Sequence, residues 1–281
     1  MIATSAVEEK SYIHSELERT GIVILPPMEV QESAQLLRRF NLKPQTTILD
    51  PWYNRGTGGV REDYVDYQLE IIEALKDNTE HFFFWGFPEI AALFINRIPK
   101  PLEFVTWITW YYKNNPSVIR GWRSSQQACL HYARKEAKMY PQHFFNAQQE
   151  LRFEEKNMRF VPGPTSVIEE ALLVGFVGKN EQTGHPAQKP EKVYEKLVLM
   201  SSKPGDLVYD PMAGSGTTAA VCKSHKRKCI ISDMSEEFVA IAEKRLGIQR
   251  LALDASAHRT TCLTGRRERT RSPPRTIRSM P

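Results

Sequence analysis

The sequence predicts an α/β fold, a mostly parallel sheet with helices on both faces. Three observations carry this expectation. Short apolar runs of strand length alternate with segments whose apolar residues recur at helical spacing. One such run, Leu207 to Tyr209, ends in Asp210 and passes through a glycine turn, Gly214-Ser215-Gly216, into a helical segment starting near Thr217. A second run, Thr46 to Leu49, ends in the tetrad Asp50-Pro51-Trp52-Tyr53. Carboxyl ends of parallel strands are where open α/β sheets bind ligands.

The chain has 281 residues, 41% hydrophobic and 25% charged, enough for one large domain or two small ones. Its formal charge of +5 is localised: residues 251–281 hold seven arginines against Asp254 and Glu268, so the first 250 residues are neutral. The segment 249–281 lists arginine, serine, threonine and proline, and cannot bury enough apolar surface to offset ordering. A basic disordered tail is expected there. The longest apolar run, His81 to Ile95, is broken by Gly86, Pro88 and Glu89 and is too short for a membrane span. The first ten residues lack the basic-then-apolar order of a secretory signal. Cys129, Cys222, Cys229 and Cys262 show no CxxC spacing and no matching histidine pair, so neither disulfides nor a metal site is expected, and a reducing cytoplasm is the simplest location.

Taken in order, residues 1–45 read as a lead-in with a helix around Val30 to Phe40. After the strand at Thr46 and a glycine-rich turn, Val65, Leu69, Ile72 and Leu75 share one face of a crossover helix. Phe82 to Trp85 is the next strand, and Pro88 to Ile95 a helix with proline in its first turn. Leu102 to Tyr111 reads as a strand apolar on both faces, expected in the middle of the sheet. From Tyr111 to Tyr140, Lys113, Arg120, Arg123, Arg134, Lys135 and Lys138 face one acid, Glu136, with Tyr111, Tyr112, Trp122 and Tyr132 among them. Cations suit phosphates and rings suit exposed bases, so this is the candidate DNA-facing surface; a solvated strand edge is the plain alternative. Residues 141–184 hold a polar run, a Pro162-Gly163-Pro164 turn and one apolar strand, Ala171 to Val177.

The last third is the most explicit. His185-Pro186-Ala187-Gln188-Lys189-Pro190 opens a helix with Tyr194, Leu197 and Val198 inward, and its exposed N–H groups, with Lys189 nearby, suit a carboxylate. Asp210-Pro211-Met212-Ala213-Gly214-Ser215-Gly216-Thr217-Thr218 follows, with glycines where backbone must approach a ligand. A phosphate loop is excluded by the absence of GxxxxGK[ST], and a dinucleotide fingerprint fits poorly because a third glycine is missing. Cys229 to Ser232 is a strand closed by Asp233, placed to accept ribose hydroxyls. Ser235 caps the next helix, Glu236 and Glu237 lie in its first turn, Phe238, Ile241, Ala242 and Leu246 on one face, and Gly247 ends it.

Together the Asp50 tetrad, the His185 string and the Asp210 string resemble the amino-group DNA methyltransferases of the permuted kind, over roughly Thr47 to Gly247. The resemblance implies a Rossmann-like fold with a seven-stranded-type sheet and circularly permuted motif order, the catalytic half at 46–120, a target-recognition region at 121–184 and the cofactor half at 185–248. It implies S-adenosylmethionine as cofactor, held by His185, Gln188, Lys189 and Pro190, by the string from Asp210 to Thr218, and by Asp233. The cationic sulfonium and ammonium of that molecule suit Asp210, and its carboxylate suits the helix start at Pro190. The strand Trp107-Ile108-Thr109-Trp110 leading to Lys113-Asn114-Asn115-Pro116 is similar to the family's middle motifs; a core strand is the alternative.

An exocyclic amine is a poor nucleophile because its lone pair is delocalised. The Asp50 carboxylate and Pro51 carbonyl would accept its two hydrogens and stabilise charge growing on nitrogen. Tyr53 would stack the base swung out of duplex DNA. The family's usual third residue is proline, and three roles are open to Trp52: stacking, packing behind the strand, or lowering activity. Aspartate in first position favours adenine N6 over cytosine N4. The short recognition region implies a short site or weak specificity. A catalytically weak DNA-binding homologue and an RNA substrate are the other readings, and a cognate restriction endonuclease, a homodimer and nucleoid association are further expectations.

Overall fold

The computed structural model describes residues 6–55, 59–115, 118–119 and 121–253. Among the described residues, eight α-helices and ten strands follow one another as α1 (Ala6–Thr20), β1 (Ile22–Ile24), α2 (Val30–Arg39), β2 (Thr46–Leu49), α3 (Tyr64–Leu75), β3 (His81–Gly86), α4 (Pro88–Ala91), β4 (Glu103–Tyr111), β5 (Val118–Ile119), β6 (Trp122–Arg123), β7 (Gln126–Ala133), α5 (Ala147–Glu154), β8 (Val167–Glu169), α6 (Glu191–Ser201), β9 (Leu207–Asp210), α7 (Thr217–Ser224), β10 (Lys228–Ile231) and α8 (Glu236–Leu246). Among the described residues, no helix is long and apolar enough to cross a membrane.

Eight strands form one sheet in the order β1-β10-β9-β2-β3-β7-β4-β8, while β5 and β6 make a separate hairpin. From β1 to β3 every pairing is parallel; β7 runs antiparallel to both β3 and β4, and β8 is parallel to β4. The sequence grows outward from the centre in both directions: β2 leads to β3 on one side, and β9 leads to β10 on the other. The switch point between the adjacent strands β2 and β9 is where such a sheet opens a ligand crevice. Register sets the site: Thr47 pairs with Tyr209 and Ile231 with Asp210, so Asp50, Asp210 and Asp233 follow the same ends of neighbouring strands.

Two cores cover the two faces. One gathers Ile13 and Leu17 of α1, Leu36 and Leu37 of α2, and Ile71, Ile72 and Leu75 of α3 against Leu49, Phe82 and Phe84. The other packs Val193, Leu197 and Val198 of α6, Val221 of α7 and Val239, Ala242 and Leu246 of α8 against Ile48, Phe83, Val208 and Cys229. Helix ends agree with local chemistry. Ser235 caps α8 by accepting from Phe238 N–H, and Gly247 stops it in the left-handed conformation at φ 66°. A reciprocal Glu29–Glu32 capping box starts α2.

The structure departs from expectation in several places. The lead-in is part of the domain, because β1 pairs with β10 and α1 and α2 fill a core. The strand β4 lies next to the edge strand rather than mid-sheet, and Phe104 and Val105 near its start are 46% and 43% exposed. The region 121–184 is not separate from the catalytic half: β7 lies inside the main sheet between β3 and β4. Ala171 to Val177 is a set of turns, since Gly175 at φ 60° takes the left-handed conformation and Val177 N–H closes onto Val174 O at 3.1 Å. The disordered tail expected at 249–281 is corrected at its start, where Leu251 and Leu253 are buried and Leu251 N–H donates to Ile24 O at 2.8 Å; residues 254–281 lie outside the described residues. The inner face of α3 is Tyr64, Gln68, Ile71, Ile72 and Leu75, with Val65 and Leu69 only half-buried.

Candidate active site

The glycine turn is held open by its neighbours. Asp210, buried at the end of β9, accepts the Met212 N–H on Oδ1 at 3.1 Å and the Thr218 hydroxyl on Oδ2. Burial raises its pKa to about 7, against the lowering effect of those two donors. Gly214 sits at φ 50° and donates its N–H to Asp233 Oδ2 at 2.9 Å, while Asp233 Oδ1 accepts Ser235 N–H at 2.9 Å. Asp233 therefore staples the turn to the start of α8, and burial raises its pKa too. A Cβ on Gly214 would lie 2.8 Å from His185 Nε2, and the His185 ring packs edge-on against Phe238 with centroids 4.2 Å apart. Gly216 at φ 75° has the same need, since a Cβ there would meet Ala242 Cβ at 3.1 Å. Pro211, Ser215 and Thr217 are buried, and Met212 and Ala213 half-buried.

The segment before α6 is braced from inside. Gln188 Oε1 accepts from Thr183 N–H at 2.9 Å and its hydroxyl at 2.7 Å, and Gln188 Nε2 donates to Glu181 O at 2.7 Å. Pro190 occupies the cap position with α6 starting at Glu191. The Glu191 N–H donates to Glu181 Oε1 at 2.7 Å, so the helix start expected to greet an outside carboxylate is met by one of the chain's own. Arg245 of α8 closes the arrangement, donating to Thr217 Oγ1 at 2.9 Å and to Glu191 Oε1 at 2.7 Å.

Lys189 joins this half to the tetrad. Its carbonyl accepts the Thr217 hydroxyl at 3.2 Å, and its buried ammonium donates to Asp50 Oδ2 and to Tyr53 OH, the latter at 2.9 Å. The expected pairing of Lys189 with an outside carboxylate is thus replaced by a pairing with Asp50. Tyr53 OH donates to Asp50 Oδ1 at 2.7 Å and lies 3.1 Å from Gln127 Oε1, while Tyr194 OH donates to Asp50 Oδ2 at 3.1 Å. Burial, with the Asp50 charge second, holds both hydroxyls protonated well above the usual tyrosine range.

The two tetrad rings part company. Tyr53 packs edge-on against Phe87, centroids 4.7 Å apart, beside the α6 core. Trp52 packs on the opposite core, edge-on against Tyr64 at 5.2 Å and tilted against Tyr67 at 5.9 Å, with a buried Nε1 that has no partner among the described residues. Of the three roles open to it, packing behind the strand is the one this position fits. Pro51 is buried beside them.

The basic residues do not share one surface. Lys113 and Arg123 lie at the Asp50 end of the sheet, but Lys113 pairs with Glu169 at 2.5 Å, and Arg123 donates to Lys113 O at 2.7 Å and to Asn115 O at 3.1 and 3.2 Å. Arg134 and Lys135 follow β7 at the opposite end, where Arg134 donates to Thr79 O and Asp77 O, each at 2.8 Å. β7 carries the chain from the Asp50 end of the strands to the opposite end, which the charge pattern could not reveal. Arg120 lies outside the described residues. Trp110 is a core residue, its Nε1 donating to Glu170 O at 2.8 Å. Sequence reading missed Gln127, Glu181, Tyr194 and Arg245 as site neighbours; only Tyr194 carried a signal, as an inward aromatic one turn after Pro190.

Comparison with known proteins follows this geometry. A family model described as DNA methylase matches residues 43–244. The Type II methyltransferase M.HpaI of Haemophilus parainfluenzae is 32% identical over 216 residues, 71% of this chain and 67% of that protein. The Type II methyltransferase M2.DpnII of Streptococcus pneumoniae is 37% identical over 181 residues, 62% of each chain. The chain thus spans about two thirds or less of the length of these relatives. The M1.HpyAVI–SAM complex superposes with a TM-score of 0.60 at 24% identity, covering 81% of this chain and 100% of that one, a likeness of fold.

Proposed function

We propose that this chain, which belongs to the DNA methylase family of N6 and N4 methyltransferases, transfers a methyl group from S-adenosylmethionine to the exocyclic N6 of adenine in duplex DNA. The observation that carries this reading is the position of Lys189, which touches Asp50 with its ammonium and Thr217 with its carbonyl. Tetrad and glycine turn, remote in sequence, are thereby joined through one side chain.

The residues present fit the cofactor. Two carboxylates, Asp210 and Asp233, and a turn whose glycines admit backbone approach would hold a cationic, ribose-bearing molecule; bound there, it supplies an electrophilic methyl group. The helix start at Pro190 fits less well as its carboxylate partner, because Glu181 and Lys189 are already engaged.

The remaining work falls to the chain. An ionised carboxylate offers about four acceptor positions, and three donors, Lys189, Tyr53 and Tyr194, reach Asp50. One position is left for an amine N–H, and the Pro51 carbonyl would take the second hydrogen. Both acceptors favour a pyramidal nitrogen and stabilise its growing positive charge. Holding the amine in line with the methyl group contributes several kcal/mol more. A methyl group taken from a sulfonium would leave a neutral thioether behind, so no residue need act as general acid, and the methylated nitrogen would give up its surplus proton to Asp50 or to solvent. Tyr53, braced by Phe87, would stack a base drawn from the duplex. Of the basic residues singled out in the sequence, Lys113 and Arg123 lie at the Asp50 end and are the ones proposed to meet DNA, while Arg120 lies outside the described residues. A cognate endonuclease and a homodimer belong to the same reading, testable by cleavage of unmethylated DNA and by sedimentation.

Radiolabelled methyl transfer to duplex DNA with nucleoside analysis tests the proposal. N6-methyladenine is expected. N4-methylcytosine alone would change the target base, RNA outcompeting duplex DNA would change the substrate, and cofactor binding without transfer to any nucleic acid would favour a non-catalytic homologue.

A further inference from the structure

The hydroxyl of Tyr53 has one hydrogen and two acceptors within reach. Asp50 Oδ1 lies at 2.7 Å and Gln127 Oε1 at 3.1 Å, while Lys189 Nζ donates to the same hydroxyl oxygen from 2.9 Å. Gln127 owes its place to the sheet. β7 begins at Gln126, and Ala128 pairs with Gly86 at the end of β3, so Gln127 stands one residue past that pairing on the Asp50 side. Hydrogen-bond counting decides which way its amide faces. The same side chain hydrogen-bonds the Tyr112 hydroxyl, whose own hydrogen goes to Gln126 O at 3.2 Å. Nε2 is therefore the atom that serves Tyr112, and Oε1 is left for Tyr53.

The two oxygens of Asp50 are loaded unequally. Oδ2 takes Lys189 and Tyr194, two donors for two lone pairs, whereas Oδ1 takes Tyr53 and no other donor among the described residues. An arriving amine must bond to Oδ1, and it would share that oxygen with Tyr53. A donor already on a carboxylate oxygen weakens its pull on a second, which matters when positive charge is growing on that second donor. Burial holds the Tyr53 hydroxyl protonated, so its hydrogen can turn between acceptors without leaving its oxygen.

We propose that Gln127 is a positioning residue, which receives the Tyr53 hydrogen when the target amine arrives and so leaves Asp50 Oδ1 to that amine alone. The proposal rests on the methyl-transfer reading above. Before the base enters, the hydrogen satisfies Asp50; afterwards Gln127 satisfies the hydrogen, and no buried polar group goes without a partner in either state.

The test is single-turnover methyl transfer by the full chain on a duplex carrying a site mapped on genomic DNA. Gln127→Leu removes the acceptor at similar volume and should slow transfer about tenfold, with affinities for cofactor and duplex within about threefold of wild type. Tyr53→Phe keeps the ring and deletes the hydrogen, so adding it to Gln127→Leu should speed transfer at least about threefold over Gln127→Leu alone. A side chain that only packs would give losses that multiply. Gln127→Met is the second variant, and it should lose and regain transfer in the same way, which separates the effect from a folding defect of one substitution. Transfer by Gln127→Leu within about twofold of wild type would overturn the proposal, as would a double variant no faster than Gln127→Leu. A loss accounted for by weaker binding of cofactor or duplex would overturn it too. Wild-type protein that transfers no methyl group to any DNA would sink the methyl-transfer reading and this proposal with it, whereas the other failures sink this proposal alone.

Discussion

The buried ammonium of Lys189 sits on the carboxylate of Asp50, 139 positions away in sequence, with side chains only 4% and 16% exposed. A pair so enclosed is costly to break from one side, because the remaining charge is left without its partner.

Lys189→Met should lower the free energy of unfolding by about 3–5 kcal/mol, and Asp50→Asn combined with it should recover at least half of that loss. Urea unfolding of the two single variants and the double variant checks this. Additive losses in the double variant would contradict a direct coupling.

Asp210 has its pKa raised to about 7 by burial, so its carboxyl is neutral below that pH and charged above it. A cationic ligand binds the charged form, so affinity for S-adenosylmethionine should weaken roughly tenfold for each pH unit below 7 and level off above it. Calorimetry across that range should show the slope for wild type and a flat, weak response for Asp210→Asn. A wild-type affinity independent of pH would remove Asp210 from the proposed cofactor set.

Trp52 faces Tyr64 and Tyr67 rather than Tyr53. Trp52→Ala should cost about 2–4 kcal/mol of stability, as for a large ring removed from a core, while methyl transfer by the folded fraction stays within a few-fold of wild type. Trp52→Phe, which also removes a buried N–H without a partner, should be nearly neutral. A thousandfold loss of turnover in a fully folded Trp52→Phe would place this ring at the base after all.

His81 and His131 are buried side by side, His81 Nδ1 to His131 Nε2 3.1 Å, with the His131 ring stacked on Phe83. Burial lowers both, His81 to about 4. The folded pKa lies below the unfolded value, so the unfolded chain binds the proton first; the stability is complete above about 6.5 and is lost as pH falls toward 4. His81 alone should cost about 2 kcal/mol between pH 6.5 and 5. Urea unfolding at a series of pH values checks this, and a flat profile across that interval would contradict it.

Local signals made much of this architecture readable. Thr46 to Leu49 and Leu207 to Asp210 are apolar runs with unambiguous stops, and α8 carries a cap, a first-turn charge bias and a terminal glycine that all agree. β1 was missed, although Ile22-Val23-Ile24-Leu25 is bounded by Gly21 and Pro26-Pro27, because three residues give no period to count. The basic stretch after Tyr111 was misleading for a different reason: β7 is a core strand, and its crossing of the sheet separates Arg123 from Arg134. Lys189 on Asp50 and Glu181 at the start of α6 are long-range or loop-made contacts, and no spacing rule encodes them. The motif strings marked the ends of β2 and β9, but they could not say which charges there would already be paired.

Single-turnover methyl transfer by Asp50→Asn, read beside its affinity for S-adenosylmethionine, tests the central claim most directly. Transfer slower by about 100-fold or more, with cofactor affinity within about threefold of wild type, is the expected result. Transfer at close to the wild-type rate would show that the carboxylate beside Lys189 is not where the amine is held.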